Sequence, residues 1–188
     1  MHEHQGEDFI GQAWGGHDLR GHRYEECRFE RCDLAKADLS KAHLVRCTFV
    51  DCDLSLVKVL GASIQEVSFT GCRMLGFDIS ACKPMLFAAQ FIDCRLDHAV
   101  ISGPSLKGQR FVRCTLRGAD LSGADLREVV FDACDLQDAV LEGCDLRGAD
   151  LSSSHSFRID PEVNKLSGAR FSVAGALSLL GKFGVVVE

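Results

Sequence analysis

Ten cysteines and seven histidines in a chain of 188 residues could build a metal centre, a redox pair or an activated nucleophile. Twenty-seven carboxylates against 21 bases could build a charged docking surface. Spacing decides between these chemistries. The cysteines lie at 27, 32, 47, 52, 72, 82, 94, 114, 134 and 144, and nearly every gap is a multiple of five; Cys82 to Cys94 is a gap of twelve. No Cys-x2-Cys pair supplies the close ligand spacing of a zinc site. The histidines, at 2, 4, 17, 22, 43, 98 and 155, form no HExxH pattern. His2 and His4 could hold a metal adventitiously, but they read as a flexible terminus. No Ser-His-Asp or Cys-His grouping and no GxxxxGK[ST] loop occurs. The expectation is therefore no catalytic residue, no cofactor and no metal, with the cysteines serving as small buried apolar groups.

The carboxylates carry more information. Asp8, Asp18, Asp33, Asp38, Asp53, Asp78, Asp120, Asp125, Asp135, Asp145 and Asp150 each stand just before a large apolar residue. Aspartate there can accept from nearby backbone N–H groups at a turn. Density points further. Nine acids lie between Asp120 and Asp150, namely Asp120, Asp125, Glu128, Asp132, Asp135, Asp138, Glu142, Asp145 and Asp150, with Arg117, Arg127 and Arg147 as nearby offsets. Such a surface suits a basic groove on a partner.

The elements that position these residues follow from a five-residue comb. Every fifth residue from Phe9 to Ile79 is large and apolar. The next would be Pro84, and a shift of two restores the series from Leu86 through Phe91, Leu96 and onward to Leu151. Two residues before many of the large ones sits a small one, Ala or Cys, and all ten cysteines occupy that slot. Neither the 3.6 period of a helix nor the 2.0 period of a strand gives such a comb. A chain that turns a corner every five residues does. A second period of twenty places Phe9, Phe29, Phe49, Phe69, Phe91, Phe111 and Phe131 in one column and Cys32, Cys52, Cys72, Cys94, Cys114 and Cys134 in another. Four sides of five residues close one coil, and coils stack as in-register parallel strands about 4.8 Å apart. Phe77 and Phe87 fall outside the inward series and flank the break. They read as packed over a bend, with exposure to a partner as the alternative.

The expected architecture is all-β: a right-handed quadrilateral parallel β-helix of seven to eight coils over residues 1–156, kinked near 82–86 at Pro84. Residues 157–188 form a C-terminal cap and dimerisation segment. In that segment Asp160-Pro161-Glu162 reads as a helix start, Leu166 to Phe171 as one more partial coil, 173–182 as a short helix capped by Ser172, and Val185-Val186-Val187 as a strand. Phe171, Ala174, Leu177, Leu180, Val185 and Val187 are the candidate self-association residues, because this tail is too apolar to leave in water. A formal charge of −6 argues against direct nucleic-acid binding. No apolar run approaches the roughly 18–20 residues of a membrane span. The opening MHEHQGEDFIG lacks the basic and apolar regions of a secretion signal, so a cytoplasmic setting is expected.

The segment Arg117-Gly118-Ala119-Asp120-Leu121-Ser122-Gly123-Ala124-Asp125-Leu126-Arg127 resembles the Ala-Asp-Leu-x-Gly consensus of the pentapeptide-repeat family. The resemblance covers about residues 7–153. Within the family, Val50 to Leu56, Glu66-Val67, Cys72 to Gly76 and the break at Pro84 resemble the gyrase-protecting branch of Qnr, MfpA, AlbG and McbG proteins. So does the tail from Asp160 to Val187. That resemblance implies a non-enzymatic homodimer, joined through its C-terminal ends, that mimics DNA towards DNA gyrase or topoisomerase IV and protects it from quinolones or natural gyrase poisons. Asp120, Asp125, Asp135, Asp138, Asp145 and Asp150 would supply the acidic footprint. One departure is that the Qnr proteins carry longer projecting loops, whereas only two residues are inserted here, around Lys83-Pro84-Met85. The rival expectation is a structural or scaffold repeat protein with an unrelated protein partner.

Overall fold

Each five-residue unit folds as one short extended rung and one corner, because two of its side chains are apolar and the rest are not. The large residue and the small one two places before it point inward, and the residues between and after them face water. In a computed structural model, residues 2–102 and 105–185 are described, with the backbone alone for Leu86 and Lys182. The described residues give twelve parallel strands in one continuous right-handed, four-sided coil: β1 (Glu3–Gln5), β2 (Asp8–Ile10), β3 (Arg23–Glu25), β4 (Arg28–Glu30), β5 (His43–Val45), β6 (Thr48–Val50), β7 (Ser63–Thr70), β8 (Phe87–Ile92), β9 (Arg110–Val112), β10 (Val130–Asp132), β11 (Asp150–Leu151) and β12 (Arg170–Phe171). About eight turns are stacked, and one short helix, α1 (Val173–Ser178), follows.

Register follows the twenty-residue period. Phe9 pairs with Phe29, Phe29 with Phe49, and Phe49 with Phe69. Beyond the insertion Phe69 pairs with Phe91, Phe91 with Phe111, and Phe111 with Phe131. The rings stack down the interior, with centroids 4.4 Å apart and planes within 4° for Phe29 and Phe49, and 5.0 Å and 2° for Phe91 and Phe111. Each stacked pair contributes about 0.5–1.5 kcal/mol beyond its buried area. Leu151 interrupts the column and pairs with Phe171, so the ladder runs on past residue 156. The two sides without long strands are tied by single parallel bridges, such as Asp33 to Asp53 and Asp18 to Asp38.

Corners are closed by the aspartates. Oδ1 of Asp38 accepts from the Ser40 N–H at 2.9 Å, Asp53 from Ser55 at 2.9 Å and Asp120 from Ser122 at 2.9 Å. The next residue turns the chain, and many corners place a non-glycine residue in the left-handed region, as at Lys36 (φ 60°) and Leu56 (φ 55°).

The insertion sits at one corner. Ile79–Ala81 and Pro84–Leu86 form single turns of 3₁₀ helix, and the Lys83–Pro84 bond is trans. The register between β7 and β8 shifts there, from Ile64 opposite Phe87 to Val67 opposite Ala89. Phe87 therefore takes the column position that the comb gives to Leu86, a correction that follows from three extra residues before the corner and one removed after it. Phe77 occupies the small-residue slot between Cys72 and Cys82. Phe77 and Phe87 are both buried, at 1% and 7% exposure.

The C-terminal segment departs from expectation in three places. Asp160-Pro161-Glu162 is a turn, not a helix start, since Asp160 Oδ1 accepts from the Glu162 N–H at 2.8 Å, as in the corners upstream. The helix stops at Ser178; a turn at Leu179–Leu180 and a 3₁₀ turn at Gly181–Phe183 follow, ending at Gly184 with φ 66°. Of the expected terminal strand, Val186 and Val187 lie outside the described residues, and Val185 is in no strand. The Ser172 cap holds, its Oγ accepting from the Gly175 N–H at 3.0 Å.

Candidate binding surface

The interior is filled by packed apolar side chains. All ten cysteines are buried free thiols. Nine of them donate to carbonyls that the coil itself supplies, as Cys114 does to Phe91 O at 3.5 Å and Val112 O at 3.4 Å. Burial pushes the Cys47 thiol up to about 11 and that of Cys82 up to about 12, away from the reactive thiolate. The last coil replaces thiol by stronger donors. Ser154, twenty residues after Cys134, donates to Phe131 O at 2.8 Å and accepts from Cys134 N–H at 3.0 Å. Asn164, twenty after Cys144, accepts from Cys144 N–H at 2.7 Å and donates to Leu141 O and Asp160 O at 2.8 Å. The composition of the slot, read for Cys and Ala alone, misses both; the twenty-residue period finds them.

The charged residues lie on the outside. The expected acidic residues divide into two groups there. Arg127 meets Asp125 with two hydrogen bonds of 2.7 and 2.8 Å and holds its carboxyl far below the usual range. Arg147 grips Asp145 likewise, at 2.8 and 2.6 Å. Asp135 is nearly buried; burial pushes its carboxyl up, but Arg117 at 2.7 Å and the Gln137 N–H outweigh that and leave it lowered. Asp150 has Arg170 at 3.5 Å, Glu128 has Lys107 at 3.2 Å and Asp132 has Arg110 at 3.8 Å. Six of the nine acids between 120 and 150 thus have a cation within 4 Å. Lys107, Arg110, Lys165 and Arg170 escape a reading of sequence neighbours because they arrive from the adjacent coil, about twenty residues away. Along the outward columns a base follows two acids: Asp33–Asp53–Arg73, Asp18–Asp38–Lys58 and Asp125–Asp145–Lys165.

Three acids remain exposed without a cation within 4 Å among the described residues: Asp120, Asp138 and Glu142. They lie together, because Asp120 bridges to Val140 on the next coil, with Asp138 and Glu142 two residues to either side of it. Val140 is itself exposed. Beside them an open groove runs between residues 137–142, the segment 156–160 and the turn after α1.

The self-association residues also divide. Phe171 packs against the core and meets Phe157 at 5.7 Å, so it closes the last coil. Gly175 faces Phe157 so closely that a Cβ there would stand 2.7 Å from its Cζ. That contact turns the opposite side of α1 outward. Val173, Leu177 and Leu180 form an exposed apolar stripe at helical spacing, at 81%, 41% and 37% exposure, and Ala174 and Val185 are exposed as well. Val187 lies outside the described residues. Among the described residues no helix is long and apolar enough to cross a membrane.

A closed four-sided β-solenoid with its polar groups on the outer faces defines a protein built to present a surface. The chain belongs to the pentapeptide-repeat family: the profile described as pentapeptide repeat region matches residues 22–88, and that of pentapeptide repeats (8 copies) matches 94–132 and 124–155. A solved structure of trypsin-treated QnrB1, a plasmid-mediated fluoroquinolone resistance protein, is similar at 21% identity over 96% of this chain and 99% of that chain, with a TM-score of 0.62. HetL from the cyanobacterium Nostoc, a pentapeptide-repeat protein involved in heterocyst differentiation regulation, is 21% identical over 90% of this chain and 83% of that chain, with a TM-score of 0.44. No curated protein sequence matches this one.

Proposed function

We propose that this protein binds a type II topoisomerase, DNA gyrase or topoisomerase IV, in place of DNA, and so protects it from quinolones or natural gyrase poisons. The observation that carries the reading is the C-terminal apolar stripe of Val173, Leu177 and Leu180 beside the unpaired carboxylates Asp120, Asp138 and Glu142. A homodimer closed through the stripe sets two such acidic patches near the middle of a longer rod. In this reading residues 1–156 present the rod, with its kink near 82–86 at Pro84, and 157–188 cap it and join the two copies. Binding rather than catalysis is the activity, and ten free thiols suit a reducing cytoplasm. The footprint is narrower than sequence density implies, because Asp125, Asp135, Asp145 and Asp150 are matched by cations and close corners.

The test is supercoiling by purified gyrase with rising protein, with and without a quinolone or an albicidin-type poison. Rescue of poisoned gyrase is expected. It should weaken by more than tenfold in Asp120→Lys/Asp138→Lys/Glu142→Lys and vanish on deletion of 173–188, while Asp125→Lys, as a control, acts mainly on stability. Binding at low salt that ignores the triple reversal overturns the mimicry. The extensive ion pairing favours a second reading, a scaffold with an unrelated protein partner. That reading gains if neither gyrase nor topoisomerase IV responds.

A further inference from the structure

One side of the rod carries opposite charge in its two halves. It is the side centred on the buried Leu39, Val59, Ile79, Ile101, Leu121 and Leu141. Its outward residues form columns. Bridges join Asp38 to Lys58, and run from Asp78 through Val100 and Asp120 to Val140. On the corner before them, backbone N–H groups donate from Lys36 to Ser55 O, from Leu56 to Leu75 O, from Gly76 to Asp97 O, from His98 to Arg117 O and from Gly118 to Gln137 O. These bonds stack Lys36, Leu56, Gly76, His98, Gly118 and Asp138. On the other edge of the face, Ser40 adjoins Leu60 and Ser122 adjoins Glu142, through bonds from Lys41 N–H to Leu60 O and from Gly123 N–H to Glu142 O.

Both ends of the face hold exposed charges that nothing within the chain matches. Of the described lysine side chains, only Lys107 and Lys165 have a carboxylate within 4 Å, so Lys36, Lys41 and Lys58 have none. The insertion is one cause: no bridge joins Lys58 to Asp78, and an open groove lies between them, lined by Val57, Val59, Leu60 and Ala81. The three lysines lie toward the N-terminal end of the face, and the unmatched Asp120, Asp138 and Glu142 lie toward its C-terminal end. Exposed apolar residues accompany both: Leu56 and Leu60 beside the lysines, Val140 beside the acids.

We propose that two copies of this chain pair side by side and antiparallel through this face. A two-fold axis lying across it, between the Asp78 and Val100 rungs, turns each column onto itself with its direction reversed. Lys36 then meets Asp138 of the second copy, Lys58 meets its Asp120, and Ser40 with Lys41 meets its Glu142, each contact occurring twice. Leu56 and Leu60 meet Gly118 and Ser122, which are small enough to leave them room. Asp38, already held by Arg20 at 3.9 Å and the Ser40 N–H at 2.9 Å, meets Val140. Six rungs span about 24 Å, a short contact, so the pairing is weak and salt-sensitive. A formal charge of −6 repels two copies at long range, and the matched face offsets that repulsion. This pairing stands whether or not a topoisomerase binds; where one does, the two partners compete for Asp120, Asp138 and Glu142.

The experiment is carbodiimide cross-linking of the full-length protein at low salt, as a mixture of light and nitrogen-15-labelled copies, read by peptide mass spectrometry. Carbodiimide joins a lysine to a carboxylate with no spacer. Within one chain Lys58 and Asp120 are three rungs, about 14 Å, apart, and Lys36 and Asp138 five rungs, about 24 Å. A direct amide at either pair therefore joins two copies. Both links are expected in mixed-label form, in the parent and equally in Leu177→Asp, which disrupts the C-terminal apolar stripe. Raising NaCl to about 0.5 M should remove them. Lys58→Glu and Asp120→Lys should each cut the Lys36–Asp138 link by about fivefold or more, and the double variant should restore it. If Asp120→Lys does not fold, Lys36→Glu and Asp138→Lys, read by the Lys58–Asp120 link, carry the same test. Absence of both mixed-label links overturns the proposal, as does a double variant no better than the singles. Either failure leaves the topoisomerase reading untouched, because that is scored by supercoiling.

Discussion

Single residues in this protein are read correctly only through the residue twenty places away. A thiol invites thoughts of redox chemistry, yet all ten are closed off from water, and nine of them donate to coil carbonyls. A polar thiol reagent should therefore find almost no reactive groups in the native protein and all ten in guanidinium. Rapid native labelling of even two would contradict the burial, and fewer than ten on unfolding would reveal disulfides. Through most of the chain the inward slot was readable in the sequence, because apolar periodicity is set by the chain's own geometry. The partners of the outer aspartates were not. Density along the chain counts Asp125, Asp135 and Asp145 as free charge, whereas Arg127, Arg117 and Arg147 close on them and the adjacent coil adds Lys165. Exposed pairs of this kind contribute little stability, about 0–1 kcal/mol each. Their consequence is electrostatic: between residues 120 and 150 they leave Asp120, Asp138 and Glu142 as the carboxylates without a cation within 4 Å.

At the scale of the rung and corner, the five-residue unit trades backbone comfort for closure. Lys36 holds φ 60° and makes no side-chain hydrogen bond or ion pair among the described residues. For a residue with a Cβ this conformation costs about 1–2 kcal/mol, part of which glycine returns through its greater freedom when unfolded. Lys36→Gly should raise stability by about 0.5–1 kcal/mol in urea unfolding, and Lys36→Val should lower it by more, since a β-branched residue tolerates that region poorly. A Lys36→Gly variant less stable than the parent would mean that the corner is not strained. Element boundaries were misread at the insertion and in the C-terminal segment. The comb passes from Ile79 to Leu86 by count, but the corner absorbs an extra residue as 3₁₀ turns and seats Phe87 opposite Ile64. Two neighbouring apolar residues, Leu86 and Phe87, compete for one column, and pattern alone does not rank them. The same ambiguity cut α1 short, for Gly181 and Gly184 follow an apolar run that reads as helix for another turn.

For the whole molecule, nearest-neighbour stacking means that the ends are weaker than the middle. The interior coils bury their rings almost completely, whereas Phe9 and Trp14 in the first coil are only partly covered. The last coil is better closed: Phe157, Ile159 and Phe171 fill it, and α1 packs Gly175 over Phe157. Unfolding should therefore start from the N-terminal end, and the chain carries its own reporter, since Trp14 is its single tryptophan. In a urea titration, the Trp14 emission shift should come at lower denaturant than the loss of β circular dichroism, which averages over all coils. Coincident transitions would show instead that cooperativity spans all eight turns, and that the phenylalanine column couples the first coil to the rest more strongly than its exposure suggests.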